Sequence, residues 1–368
     1  MNRVVLLLTC TFILLSCNNE FPPPTARELY DKCNRGVVLI AIEYYYEIKF
    51  NNNISGYFTQ IENGEIKDLV FNEEELDKPN LSFGTGFFIS ENGKIATNRH
   101  VVDIQNDTET AKKKLSYKFN TLRVEINDRI STISSNIREI RQIMNTNYLS
   151  INDYQLASSK IQELESERDE LGLYERIFTI DPMKSKIICH KSVGIAYNNT
   201  HLSKWSDFKE CVVVKQSKEE DIDLAVIQLK NKQTPRDCYV FDFDDHNPNI
   251  EKKSVLDRFE KNTAKNQKFS IYNPLNINEQ VYMIGYNHGI DIATTTDGLK
   301  SQITQGFVSQ ESDNYRVLYS IPTLQGSSGS PVLDKWGNLV AVNFAQVRNS
   351  QNFNYGILAK HLKKLVQE

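Results

Sequence analysis

Between residues 107 and 175 the chain carries no proline and little glycine, and apolar residues recur at Leu115, Phe119, Leu122, Ile126, Ile130, Ile133, Ile137, Ile140 and Met144. Every step is three or four residues, the period of a helix that buries one stripe along a coiled-coil seam. A polar break, NTNYLSIND, follows, and Tyr154, Ala157, Ile161, Leu164 and Leu171 then keep the same register, with Arg168 interrupting it. Two such stretches joined by a short break predict an antiparallel helical hairpin. A first helix of about 38 residues reaches roughly 57 Å, longer than a small domain is wide. Such an arm serves either as a spacer or stabilising insertion, or as a docking or oligomerisation device, and a two-helix seam supplies both.

The rest of the chain has a different rhythm. A short helix is expected from Thr25 to Arg35 with Thr25 as its N-cap, followed by the strand-like run VVLIAIEYYYEIKF. Further strands are expected near FGTGFFIS, KIATN, SVGIAYN, CVVVKQ, DLAVIQLK, QVYMIGY, SQITQGFVSQ, YRVLYSI, SPVLD and NLVAVNFAQ, punctuated by Gly, Asn, Asp and Ser. Many short strands with turn signals predict a mainly β protein, a barrel or sandwich. A charged interruption from about Asp242 to Lys268 reads as a solvated loop, because FDFDDHNPN lacks the ligand spacing of a calcium loop. The 368 residues, 40% apolar and 24% charged, suit one β-rich domain with additions. A formal charge of −4, with no basic stripe beyond Lys112, Lys113 and Lys114, argues against a nucleic-acid partner.

At the N-terminus one basic residue precedes an apolar stretch from Val4 to Leu15, too short to span a bilayer comfortably, as in a secretory signal. Leu14-Leu15-Ser16-Cys17 resembles a bacterial lipobox, which implies cleavage before Cys17, lipidation of its thiol and a lipid-anchored place in the cell envelope, periplasmic or surface-exposed. Residues 1–16 are then the signal peptide and 17–24 a polar, proline-stiffened tether. Cys33, Cys189, Cys211 and Cys238 remain, and three disulfide pairings are open to them. No paired short ligand spacing suggests a metal, and no cofactor is expected.

Gly326-Ser327-Ser328-Gly329-Ser330-Pro331 has the composition of a turn that presents a serine beside backbone N–H groups, as acyl transfer requires. Upstream, GTGFFISENGKIATNRHVVD places His100 just after a strand, and imidazole is a base suited to neutral pH. Between them EEDIDLAVIQLK sets Asp223 at the start of an apolar strand, where a carboxylate orients a histidine. Asp221 is the neighbouring alternative, but it precedes the strand rather than abutting it.

These segments, together with VYMIGYNHG, ITQGFVSQ, GNLVAVNFA and NYGILAKHLKKLV, resemble a trypsin-like serine peptidase of the chymotrypsin fold, closest to the HtrA/DegP-like bacterial branch. The resemblance implies a double β-barrel over residues 25–368, with the helical hairpin inserted at about 107–175. It implies Ser328 as nucleophile, His100 as general base then acid, Asp223 as orienting carboxylate, and the N–H groups of Gly326 and Ser328 as the oxyanion hole. It also implies a substrate-binding pocket lined by Thr323, Asn343, Phe344 and Ala345. His190, His201, His246, His288 and His361 match no catalytic position and are expected to be structural or on the surface.

The chain departs from the family in several places. No PDZ-like module is expected after the barrels. Ser327 stands where chymotrypsin zymogens carry an aspartate, so activation by a newly cut N-terminus is not expected. Glutamyl endopeptidases share the GSSGSP turn but use a pocket histidine where this chain places Asn343, so acidic specificity is not expected. The sequence reading is a serine endopeptidase acting on protein substrates through an acyl-enzyme, with self-association or partner docking through the arm. The rival reading is a latent or inactive protease-like sensor that works through the arm.

Overall fold

The computed structural model describes residues 21–51, 53–104, 106–244, 275–346 and 353–367. Cys17, His246, the signal segment and most of the expected interruption near 242–268 lie outside the described residues. Thr25 caps helix α1 (Ala26–Cys33) as its side chain predicts. The Glu28 N–H donates to Thr25 Oγ1 at 3.3 Å and the Thr25 N–H donates to the Glu28 carboxylate at 2.8 Å, a reciprocal capping box.

Twelve strands form two closed six-stranded barrels. The first uses β1 (Val37–Lys49), β2 (Asn80–Phe88), β3 (Lys94–Thr97), β4 (Lys186–Ala196), β5 (Lys209–Gln216) and β6 (Ala225–Leu229), in the order β1-β2-β3-β6-β5-β4, closed by pairing of β4 with β1. The second uses β7 (Gln280–Gly285), β8 (Gln302–Gln310), β9 (Arg316–Tyr319), β10 (Pro331–Asp334), β11 (Leu339–Gln346) and β12 (Asn354–Leu358), in the order β7-β8-β9-β12-β11-β10, closed by pairing of β10 with β7. The two orders are the same connectivity run twice. The mainly β, double-barrel reading of the sequence holds.

The chain divides into two compact units: Met1–Ile42, Ser82–Asp103 and Val193–Glu368 form one, and Glu43–Leu81 with Ile104–Ser192 form the other. In the first, Phe87, Val226, Ile284, Leu333, Val342 and Ile357 join one buried cluster that Leu29 of α1 and Leu362 of a terminal helix extend. A second cluster, with Val281, Met283, Val317, Tyr319 and Val332, fills the β7–β12 barrel. Directly after β3 the chain makes one helical turn, α2 (Arg99–Val102).

In the second unit, Tyr46, Phe50, Phe58 and Ile66 pack with Ala111, Leu115 and Phe119. The last three open α3 (Thr108–Thr146), which Asp107 caps by accepting the Thr110 N–H at 3.0 Å. The chain turns at Asn147 and re-enters as α4 (Ile151–Phe178), capped by Ser150. Phe119 packs edge-on against Phe178 with ring centroids 4.9 Å apart, and Arg141 bonds Glu165 at 2.6 Å, so the helices run antiparallel. Ile133, Ile137 and Leu164 are buried in the seam. At about 1.5–3 kcal/mol for each large apolar side chain buried, they outweigh the exposed Arg129–Glu167 and Arg141–Glu165 pairs, worth under about 1 kcal/mol each.

Among the described residues no disulfide joins Cys33, Cys189, Cys211 and Cys238. Burial pushes the Cys33 and Cys211 thiols up to about 12 and the Cys238 thiol up to about 11.

Candidate active site

All three residues of the expected triad fall in the barrel unit. β3 runs through Asn98 directly into α2, which puts His100 on a single helical turn. Its two predecessors tie that turn to the loop before β6. Asn98 Nδ2 donates to the Asp223 carbonyl at 2.8 Å, and the Arg99 guanidinium donates to the carbonyls of Ser217, Glu219 and Glu220 at 2.9, 3.1 and 3.2 Å. Asp223 therefore faces His100. The His100 N–H donates to Asp223 Oδ1 at 3.0 Å and ring Nδ1 is hydrogen-bonded to Oδ2. Burial pushes the Asp223 carboxyl up, but the hydrogen bonds and charge of His100, with Arg99 adding to them, more than offset it and hold the group below the usual carboxylate range. Asp221, the alternative weighed from sequence, is exposed. With Nδ1 committed to a carboxylate and the side chain 49% exposed, His100 Nε2 is left as the accessible nitrogen.

The serine turn is built from positive-φ glycines and backbone hydrogen bonds. Gly326 has φ +96° and Gly329 φ +88°. A Cβ on Gly329 would lie 2.1 Å from the Thr85 carbonyl oxygen, so only glycine fits. The N–H groups of Ser327, Gly329 and Ser330 donate to Leu324, Asn343 and Ser327 carbonyls at 3.0, 2.8 and 3.1 Å. Those of Gly326 and Ser328 donate to no group among the described residues. The half-buried Ser328 side chain forms no hydrogen bond among the described residues, His100 included.

Thr85, which sequence reasoning left without a role, links the parts. Its N–H donates to the Ser328 carbonyl at 2.8 Å and its hydroxyl to the Gly326 carbonyl at 2.8 Å. Its own carbonyl accepts the Thr97 hydroxyl at 2.8 Å, three residues before His100. Thr85 lies inside the GTGFFIS segment, so the signal was present, but its meaning depends on a turn more than 200 residues away.

The expected pocket residues fare unequally. Thr323 is buried and its hydroxyl is bonded to Asn354 Oδ1 at 2.6 Å. Phe344 is half-buried and is the extra residue of a β-bulge between Asn343 and Ala345. Ala345 has its backbone in β11, and its side chain lies outside the described residues. Asn343 is 2% exposed, and its carboxamide is bonded on both atoms to internal partners.

Two barrels of one connectivity, with a carboxylate-held histidine and a glycine-flanked serine turn in one unit, are the arrangement that trypsin-like serine peptidases use. Residues 198–342, fewer than half of the chain, match the family described as trypsin-like peptidase domain, and the match supports a serine-type endopeptidase, a hydrolase. The match contains Asp223 and Ser328 and begins after His100 and the helical insertion. Solved structures similar to the chain include the serine endoprotease from Yersinia pestis, at 12% identity and a TM-score of 0.41 over 94% of this chain and 67% of that one. The HtrA-type protease AlgW with decapeptide is similar at 11% identity and a TM-score of 0.41, over 94% and 67% of the respective chains. No curated protein matches the sequence.

Proposed function

We propose that this serine peptidase hydrolyses peptide bonds in protein substrates through an acyl-enzyme on Ser328. The observation that carries the proposal is the double hydrogen bond from His100 to Asp223, which presents Nε2 as base. In the proposed cycle Ser328 Oγ attacks the scissile carbonyl as His100 Nε2 takes its proton. The oxyanion receives the N–H groups of Gly326 and Ser328, the two donors of the turn without partners. The imidazolium, stabilised by Asp223, passes the proton to the leaving amine, and a water activated by His100 then releases the acid and restores Ser328. Contact between Ser328 and His100 tightens as substrate excludes water, since catalytic hydrogen bonds in free enzymes are often long.

A fluorophosphonate probe tests the reading. Wild type should label, and both Ser328→Ala and His100→Ala should abolish labelling. A folded wild type that stays unlabelled would replace the peptidase with the latent, arm-based sensor. Anchoring through a lipidated Cys17 is part of the same proposal and is supported by the sequence. A mature N-terminus whose mass shows unmodified Cys17, or another first residue, removes it.

A further inference from the structure

The structure assigns Asn343 a positioning role: we infer that its carboxamide sets the direction of the Ser328 N–H, the second oxyanion donor. The inference rests on the peptidase reading above and adds a residue to it. A trans peptide is planar, so its C=O and N–H point in opposite directions. Whatever holds a carbonyl therefore aims the following N–H. Asn343 Nδ2 donates to the Ser327 carbonyl at 3.0 Å, alongside the Ser330 N–H at 3.1 Å, and the carbonyl so held turns the Ser328 N–H to the other side of the turn.

The clamp is itself fixed. Asn343 Oδ1 accepts the Tyr319 hydroxyl at 2.8 Å, so the carboxamide cannot flip without losing both bonds. Tyr319 is wholly buried, and burial keeps its phenol protonated as a donor. The backbone of Asn343 holds the same turn, its N–H donating to Ser330 at 2.9 Å and its carbonyl accepting from Gly329 at 2.8 Å. Nδ2 also lies 3.2 Å from Ser327 Oγ, which donates to the Leu324 carbonyl at 2.7 Å.

The same device serves the first donor. The His288 N–H donates to the Gln325 carbonyl at 2.6 Å, which turns the Gly326 N–H the opposite way. Two carbonyls are thus clamped, and the two N–H groups they aim are the two in the turn that have no partner among the described residues. No charged group is involved. An uncharged buried carboxamide and phenol occupy the task that a buried ion pair would perform at far greater desolvation cost.

Asn343→Asp in the full chain is the direct test, because it keeps size and the Tyr319 bond but puts an acceptor against the Ser327 carbonyl. With a short chromogenic peptide, kcat should fall about 100-fold while KM stays within about twofold, the pattern of a lost oxyanion donor. Tyr319→Phe leaves the carboxamide unlatched and should cost about tenfold in kcat, and it guards against an Asp variant that fails to fold. Crystal structures of wild type and variants read the orientation of the 327–328 peptide without turnover. A folded variant that keeps kcat, or keeps the peptide orientation, overturns the inference. If wild type neither labels nor hydrolyses, the peptidase reading fails separately, and the peptide orientation alone then decides the clamp.

Discussion

Asp223 takes two hydrogen bonds from one residue, and its depressed folded pKa has a consequence for acid stability. Unfolded, the carboxyl titrates near about 3.9; folded, it stays ionised to lower pH. Its stabilisation is therefore complete above the unfolded value and is lost as pH falls through the folded one. Urea unfolding of Asp223→Asn should show a shallower loss of stability on that acid limb than wild type does, and an unchanged slope would mean the pairing is too weak to matter. Gly329→Ala is a second residue-scale prediction. The positive φ and the contacts at 2.1 and 2.4 Å to Thr85 and Thr97 should cost about 2–5 kcal/mol in thermal unfolding. The candidate residues named from sequence here, His100, Asp223, Ser328 and Gly326, are those whose proposed chemistry is local to a short motif. The hydrogen bonds of Asn343 were not legible, because its surroundings come from a bulge at Phe344 and from Tyr319, 24 residues earlier. Spacing along the chain carries no trace of either.

At the scale of elements, the helical hairpin was the plainest feature of the sequence, since a three-four apolar spacing has no other regular solution. The helices span Thr108–Thr146 and Ile151–Phe178, against an expected stretch of about 107–175. Tyr154, expected in the seam, is 54% exposed. It sits in the first turn of α4, beside the end of α3, where few facing side chains remain to cover it. The seam's energetics make a sharp comparison. Ile137→Ala should destabilise the hairpin by about 2–5 kcal/mol, whereas Arg129→Ala, which breaks an exposed pair with Glu167, should cost under about 1 kcal/mol. Amide hydrogen exchange along α3 and α4 reads both, and equal losses would place the stability in the charges rather than in the buried stripe. What the pattern did not reveal is that Glu43–Leu81 belongs to the same unit as the hairpin. The run of β1 looks uniform in sequence, and only contacts divide it at Ile42.

For the whole molecule, the repeated strand order was legible only as two sets of short strands, because pairing partners such as β3 and β6 are separated by more than a hundred residues, the helical insertion and two other barrel strands among them. Each unit nevertheless keeps apolar clusters of its own, and His100, Asp223 and Ser328 all belong to the barrel unit. That separation makes the arm removable in principle. Phe119 and Phe178 lie 4.9 Å apart at its base, so residues 123–174 can be replaced by a turn of about four residues joining two antiparallel helix stubs. The cluster of Tyr46, Phe50, Leu115 and Phe119 is retained, and groups with no shared partners contribute nearly additively. Turnover of a short peptide should therefore stay within about twofold of wild type. A shortened enzyme that keeps peptide turnover but loses cleavage of a folded protein substrate would assign the arm to docking. If both activities persist, the arm is a spacer or a stabilising insertion. Loss of peptide turnover in a protein with intact barrel stability would show that chemistry depends on the second unit, and the arm would then have to be counted as a regulator of the site.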